Sequence, residues 1–226
     1  MMAPQEVSMR ALALCVFWYR SSYERRAFED PKMNRVEMQD DIDDMAALLK
    51  ETGLDAWLSP VEVKLFGKPV GKWHTADIKE CSWRIENLVM LFWALNWVGD
   101  LPPIHQDSGP EDIGLNEKLD EGIEASRSAR LRPQPELERM NKYLECVRLR
   151  LRTPDDFEGI PWLAGKAEGF GGGAPVDGDL PLDGRPVREA SAKRRSDTNS
   201  IAMERHKALQ WVLNYQVDLD APAPEV

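Results

Sequence analysis

Residues 83 to 98 read W-R-I-E-N-L-V-M-L-F-W-A-L-N-W-V, a helix-length run with two charges near its start and no polar face. On a wheel at about 100° per residue its apolar side chains leave no sector for water. Such a helix must be surrounded, so the rest of the chain has to build a core around it. Arg84 and Glu86 stand two residues apart, hence about 160° apart round the axis, and cannot pair with each other. Each needs a partner from elsewhere or an opening to solvent, because an unmatched buried charge costs about 3–5 kcal/mol.

A second interruption of the same kind lies near the C-terminus, in S-I-A-M-E-R-H-K-A-L-Q-W-V-L-N-Y at 200 to 215. On the wheel Ile201, Ala208, Leu209, Val212 and Tyr215 gather on one side, with Met203, Lys207, Gln210 and Asn214 opposite. Arg205 falls in the middle of the apolar side, and Glu204 and His206 fall at its two edges. The simplest solution pairs Arg205 with Glu86 across two packed helices. Arg84, Glu204 and His206 then complete a polar network, flanked by Trp83, Trp93 and Trp211. Either this network fixes helix register, or a cleft opens beside it and Glu86, Glu204 or His206 becomes an acid/base.

The remaining elements follow from local signals. An N-terminal helix spans about Gln5 to Phe28 and is apolar nearly all round between Arg10 and Arg20. An amphipathic helix spans about Val36 to Glu51, with Ile42, Met45, Ala46 and Leu49 on one face and a stop at Thr52-Gly53. Ser59, Pro60 and Glu62 form a capping-box start for a short helix. The central buried helix is placed at about 76–98, a mobile loop region at about 99–132, and the closing helix at about 196–215. Leu137, Met140, Leu144, Val147 and Leu151 alternate spacings of three and four, one buried helical face. The segment 159–188 is rich in Gly and Pro, with a small β-hairpin expected near 179–187 around Asp183-Gly184. The expectation is a mainly α, single-domain chain over 1–226.

Composition narrows the partners. Net charge is −10 and the isoelectric point about 4.9, which argues against nucleic acid or an anionic membrane. Local basic runs, Lys193-Arg194-Arg195 and Arg148, Arg150 and Arg152, read as solvated faces or ion pairs. Cys15, Cys81 and Cys146 are odd in number and lie in apolar helical patterns, as reduced thiols of a cytoplasmic protein do. The run Ala11 to Tyr19 has the length of a signal-peptide core, but Glu6 precedes it and Arg20 follows, and it is too short to span a bilayer.

Catalytic and cofactor motifs are missing. G-F-G-G-G-A at 169–174 fits the letters of a dinucleotide fingerprint, yet no strand precedes it and Pro175 occupies the helix start. After Gly165-Lys166, Ala167 replaces the hydroxyl a P-loop uses for magnesium. His74, His105 and His206 are scattered, and His74 with Cys81 makes only two ligands, so no metal site and no cofactor is expected.

W-R-I-E at 83–86, F-W-A-L at 92–95, G-D-L-P from Gly178 and S-I-A-M-E-R-H-K-A-L-Q-W at 200–211 together resemble a largely bacterial family, domain of unknown function 4272. R-A-L-A-L at 10–14 and Leu131-Arg132-Pro133 look similar too. Gln210 stands where members usually have Asn, and V-D-L-D-A-P at 217–222 lacks the Trp-Asp that often follows. The resemblance implies that Trp83, Arg84, Glu86, Glu204, Arg205, His206 and Trp211 form one constellation, and it implies no activity. The leading expectation is a protein-interaction or ligand-binding module. The alternative is an enzyme whose reaction the sequence leaves open, hydrolysis being one candidate, using Glu86, Glu204 and His206.

Overall fold

Helix signals recur from the first residues onward, and the structure follows them. A computed structural model describes residues 1–153, 176–215 and 219. These are mainly helical, with one small antiparallel hairpin. Helix α1 (Pro4–Glu29) takes Pro4 in its first turn, and every residue from Arg10 to Trp18 is buried. Arg10 and Arg20, at the two ends of its apolar stretch, are buried as well. Helix α2 (Arg35–Thr52) turns Met38, Ile42 and Leu49 inward and ends at Gly53, whose φ of 70° favours glycine.

Helix α3 (Pro60–Phe66) starts with the reciprocal cap expected of Ser59 and Glu62. The Glu62 N–H donates to Ser59 Oγ at 3.2 Å and the Ser59 N–H donates to Glu62 Oε2 at 2.9 Å. The same carboxylate takes Arg10 of α1 through two bonds at 2.6 and 2.9 Å, so one side chain starts α3 and ties it to α1.

The single helix expected over 76–98 is two: α4 (Thr75–Ser82) and α5 (Arg84–Ala94). Trp83 separates them, its N–H donating to the Glu80 carbonyl three residues back in a tightened turn. The helix also stops earlier than 98. Asn96 adopts φ 59°, and the Trp97 N–H reaches back to the Phe92 carbonyl at 2.9 Å, a Schellman-type end. Every residue of α5 is buried. Arg132 closes its C-terminal end: its backbone N–H donates to the Ala94 carbonyl at 2.8 Å and its guanidinium to the carbonyls of Trp93, Val98 and Gly99 at 2.7–2.9 Å.

The region 99–132, expected to be mobile and only weakly helical beyond Pro110, contains a 3-10 turn at Pro110–Ile113 and helix α6 (Leu115–Arg127), which bends at Gly122. Leu115, Leu119 and Ile123 recur every four residues and seat α6 on α1, outweighing its many charges. Helix α7 (Gln134–Arg152) buries Leu137, Met140, Leu144, Val147 and Leu151 on the expected face. Strands β1 (Pro181–Leu182) and β2 (Arg185–Pro186) pair around Asp183 and Gly184, both at positive φ.

Helix α8 (Ala192–Val212) begins four residues before the expected 196, because Ser191 caps it by accepting the Arg194 N–H at 3.1 Å. It lies against both α5 and α7. The G-F-G-G-G-A run, Gly165-Lys166 and residues 217–222 other than Leu219 lie outside the described residues. Among those described, no helix is long and apolar enough to cross a membrane.

Candidate functional site

Three consecutive residues of α8 meet three different surroundings, as a rotation of about 100° per residue requires. Arg205 turns to α5. Its Nε donates to Glu86 Oε2 at 2.8 Å, with the two side chains 1% and 0% exposed. Nη1 donates to the Pro102 carbonyl at 2.7 Å and Nη2 to Ser108 Oγ at 3.0 Å. Ser108 closes the ring, donating its N–H to Glu86 Oε1 at 2.8 Å and its hydroxyl to Oε2 at 3.1 Å. The loop after α5 therefore folds back over the pair and seals it, matching charge with charge-assisted bonds.

Glu204 accepts from Asn87 Nδ2 of α5 at 2.7 Å. His206 turns to α7, where Arg148 Nη1 lies 2.9 Å from its Nδ1. Arginine has only donors, so Nδ1 accepts and the ring proton sits on Nε2. Burial first, and then the Arg148 charge, push the His206 pKa down to about 4, so the imidazole is neutral. Arg84, on the opposite side of α5 from Glu86, donates to the Leu219 carbonyl at 2.9 Å and lies 4.0 Å from Glu62.

The structure thus brings together Arg205 and Glu86, and does not bring Arg84, Glu204 or His206 into that cluster. Of Glu86, Glu204 and His206, Glu204 alone lines the cleft between the α4–α5 corner and α8. The residues that complete the cluster, Pro102 and Ser108, lie on a loop with no periodicity to mark them. A cleft of about 120 Å³ does open beside it, between the α4–α5 corner and α8. Glu80, Trp83, Arg84, Ser200, Met203, Glu204 and Lys207 line it. Of the flanking aromatics, Trp83 stands in this wall. Trp93 is buried under the Arg132 guanidinium, 4.5 Å from its ring centroid, and Trp211 packs at the core margin.

Other arginine–carboxylate pairs repeat the sealed pattern. Arg20 meets Glu24 at 2.7 Å, and Glu24 also accepts the Gly71 N–H at 2.9 Å. Arg150 of α7 takes Asp179, just before the hairpin, through bonds at 2.8 and 3.0 Å. His74 is exposed at the start of α4 while Cys81 is buried at its end. Among the described residues no group of three or more His, Cys, Asp or Glu side chains is placed to hold a metal ion. Burial pushes the Cys81 thiol up to about 12 and the Cys15 thiol above its ordinary value.

A family model described as Domain of unknown function (DUF4272) matches residues 1–154. The matched span covers α1 to α7, and the E-R-H helix lies beyond it. No curated protein and no solved structure matches the chain.

Proposed function

The chain belongs to the DUF4272 family, and from that premise we propose that it is a binding module that receives a cationic group of a protein partner in the cleft between the α4–α5 corner and α8. What carries this reading is the placement of two carboxylates, Glu80 and Glu204, beside Trp83 in the cleft wall. Arg84 is engaged with the Leu219 carbonyl, and Lys207 also has a partner. Glu80 is exposed at the rim, and nearly buried Glu204 opens on the same space with one carboxylate oxygen on Asn87. Trp83 offers an aromatic wall, and a guanidinium or ammonium group is drawn to an aromatic face beside carboxylates. The Arg205–Glu86 pair ties α5 to α8, the helices that contribute Arg84 and Glu204 to the cleft, which lowers the ordering cost of binding. The net charge of −10 speeds the approach of a basic partner. Three buried thiols with no disulfide among them suit a cytoplasmic location.

The test is titration of short arginine- and lysine-containing peptides against the full chain, following the Trp83 indole N–H by NMR. Saturable shifts that fall about tenfold in affinity in Glu80→Lys are expected. Binding unchanged by Glu80→Lys, or no shift with any basic peptide, would sink the reading.

A further inference from the structure

The corner where α1 turns into α2 holds a cavity of about 180 Å³, which shares no residue with the cleft beside α8. Phe28, Pro31, Trp73 and Ile78 give it apolar walls. Phe28, 60% exposed, stands at its mouth. Trp73 is fixed in place: its indole N–H donates to the Leu65 carbonyl at 2.9 Å, and its ring stacks on Phe17 with centroids 5.7 Å apart. A wall held in advance loses little freedom when a ligand arrives.

Two charged side chains line the cavity, and they differ in their commitments. Glu24 is buried and fully used. It meets Arg20 at 2.7 Å and accepts the Gly71 N–H at 2.9 Å and the Trp73 N–H at 3.4 Å. Arg20 is itself 0% exposed and matches that negative charge. Arg35, the first residue of α2, is exposed and makes no ion pair or hydrogen bond among the described residues. Its guanidinium lies on the backbone of Gly71, where a Cβ would come 3.1 Å from Nη1 and 3.2 Å from Cζ. Around the mouth, exposed Glu29 and Asp30 are balanced by exposed Lys32 and Lys72. Arg35 is therefore the uncompensated charge on the wall.

We propose that this cavity binds a small monocarboxylate whose apolar body is the size of one ring or a short branched chain. Volume sets the size: a cavity of about 150 Å³ takes up benzene, and drug-sized ligands need about 300 Å³ or more. The apolar body enters against Trp73 and Ile78, and the carboxylate takes the guanidinium of Arg35 through charge-assisted bonds. A cation is disfavoured, because Glu24 is already matched and Arg35 repels it. An anion without an apolar body leaves the walls unused. The site uses neither Glu80 nor Trp83 and stands or falls independently of the cleft.

The experiment titrates the full chain with sodium benzoate and, separately, with sodium 3-methylbutanoate, following the Gly71 and Trp73 N–H signals by NMR. Sodium acetate supplies the charge without the body, and benzamide the body without the charge. Saturable shifts with at least one of the two acids are expected, with a Kd of about 1 mM or tighter. Acetate and benzamide should each bind about tenfold more weakly or worse. Arg35→Gln should weaken the acid by about tenfold and leave benzamide unchanged, with its fold checked by circular dichroism. Should that variant not fold, the comparison of benzoate with benzamide on the unaltered chain decides. The proposal is overturned by no saturable shift with either acid, by benzamide binding as tightly as benzoate, or by unchanged affinity in folded Arg35→Gln. Shifts confined to Trp83, or a response to the dipeptide glycyl-phenylalanine with none to either acid, would overturn it as well.

Discussion

Arg205 and His206 are neighbours in the chain, yet they end in opposite conditions. On the α5 side, guanidinium, carboxylate and a loop serine satisfy one another, and nothing is left for a ligand. On the α7 side, a guanidinium meets a neutral ring and both keep unused donors. Burial is similar for the two helix residues, 1% and 4% exposed. Burial alone therefore does not separate a satisfied polar group from one with donors to spare. The count of hydrogen bonds does.

The contrast can be broken hardest at Glu86. Glu86→Gln leaves Arg205 buried without its counter-charge, and a loss of about 3–5 kcal/mol is expected in urea unfolding. Replacing both partners with methionine should recover much of that loss, since a matched apolar pair is often neutral. Full loss in the double variant would show that the pair contributes net stability.

Acid tests the other side. The His206 pKa lies near 4 in the folded chain against about 6.5 unfolded. The unfolded chain then binds the extra proton as pH falls from about 6.5 to 4, and roughly 3 kcal/mol of stability is lost across that window. His206→Gln should flatten this slope. A slope unchanged in the variant assigns the acid loss to other groups.

A smaller effect sharpens the comparison. Arg148→Gln should change stability by less than about 1 kcal/mol, because a half-exposed and unpaired charge contributes little. A cost equal to that of Glu86→Gln would erase the distinction between the two seams. Glu80→Lys, at the rim of the cleft, should stay within about 0.5 kcal/mol of the parent in the same assay.

Helix positions were largely legible. Ser59 and Glu62 announced α3, the three-and-four spacing from Leu137 to Leu151 announced α7, and Asp183-Gly184 announced the hairpin. The division at Trp83 was not, because tryptophan carries no helix-breaking signal and the run on either side is apolar. Helix α6 was hidden by charge, since only packing on α1 reveals the worth of Leu115, Leu119 and Ile123. At the site, the wheel placed Arg205 inward and Glu204 and His206 at its margins. It could not say which helix each margin faced, so Arg148 and Ser108 had no local mark.

The distance in sequence between Glu86 and Arg205 also has a consequence for synthesis. They are 119 residues apart. At a translation rate of about 5–20 residues per second, Glu86 waits on the order of ten seconds for its counter-charge to be made. During that interval α5 can bury Glu86 only against the N–H and hydroxyl of Ser108, without the matching charge of Arg205. The counter-charge that completes the burial of Glu86 thus arrives with α8, the last of the described helices.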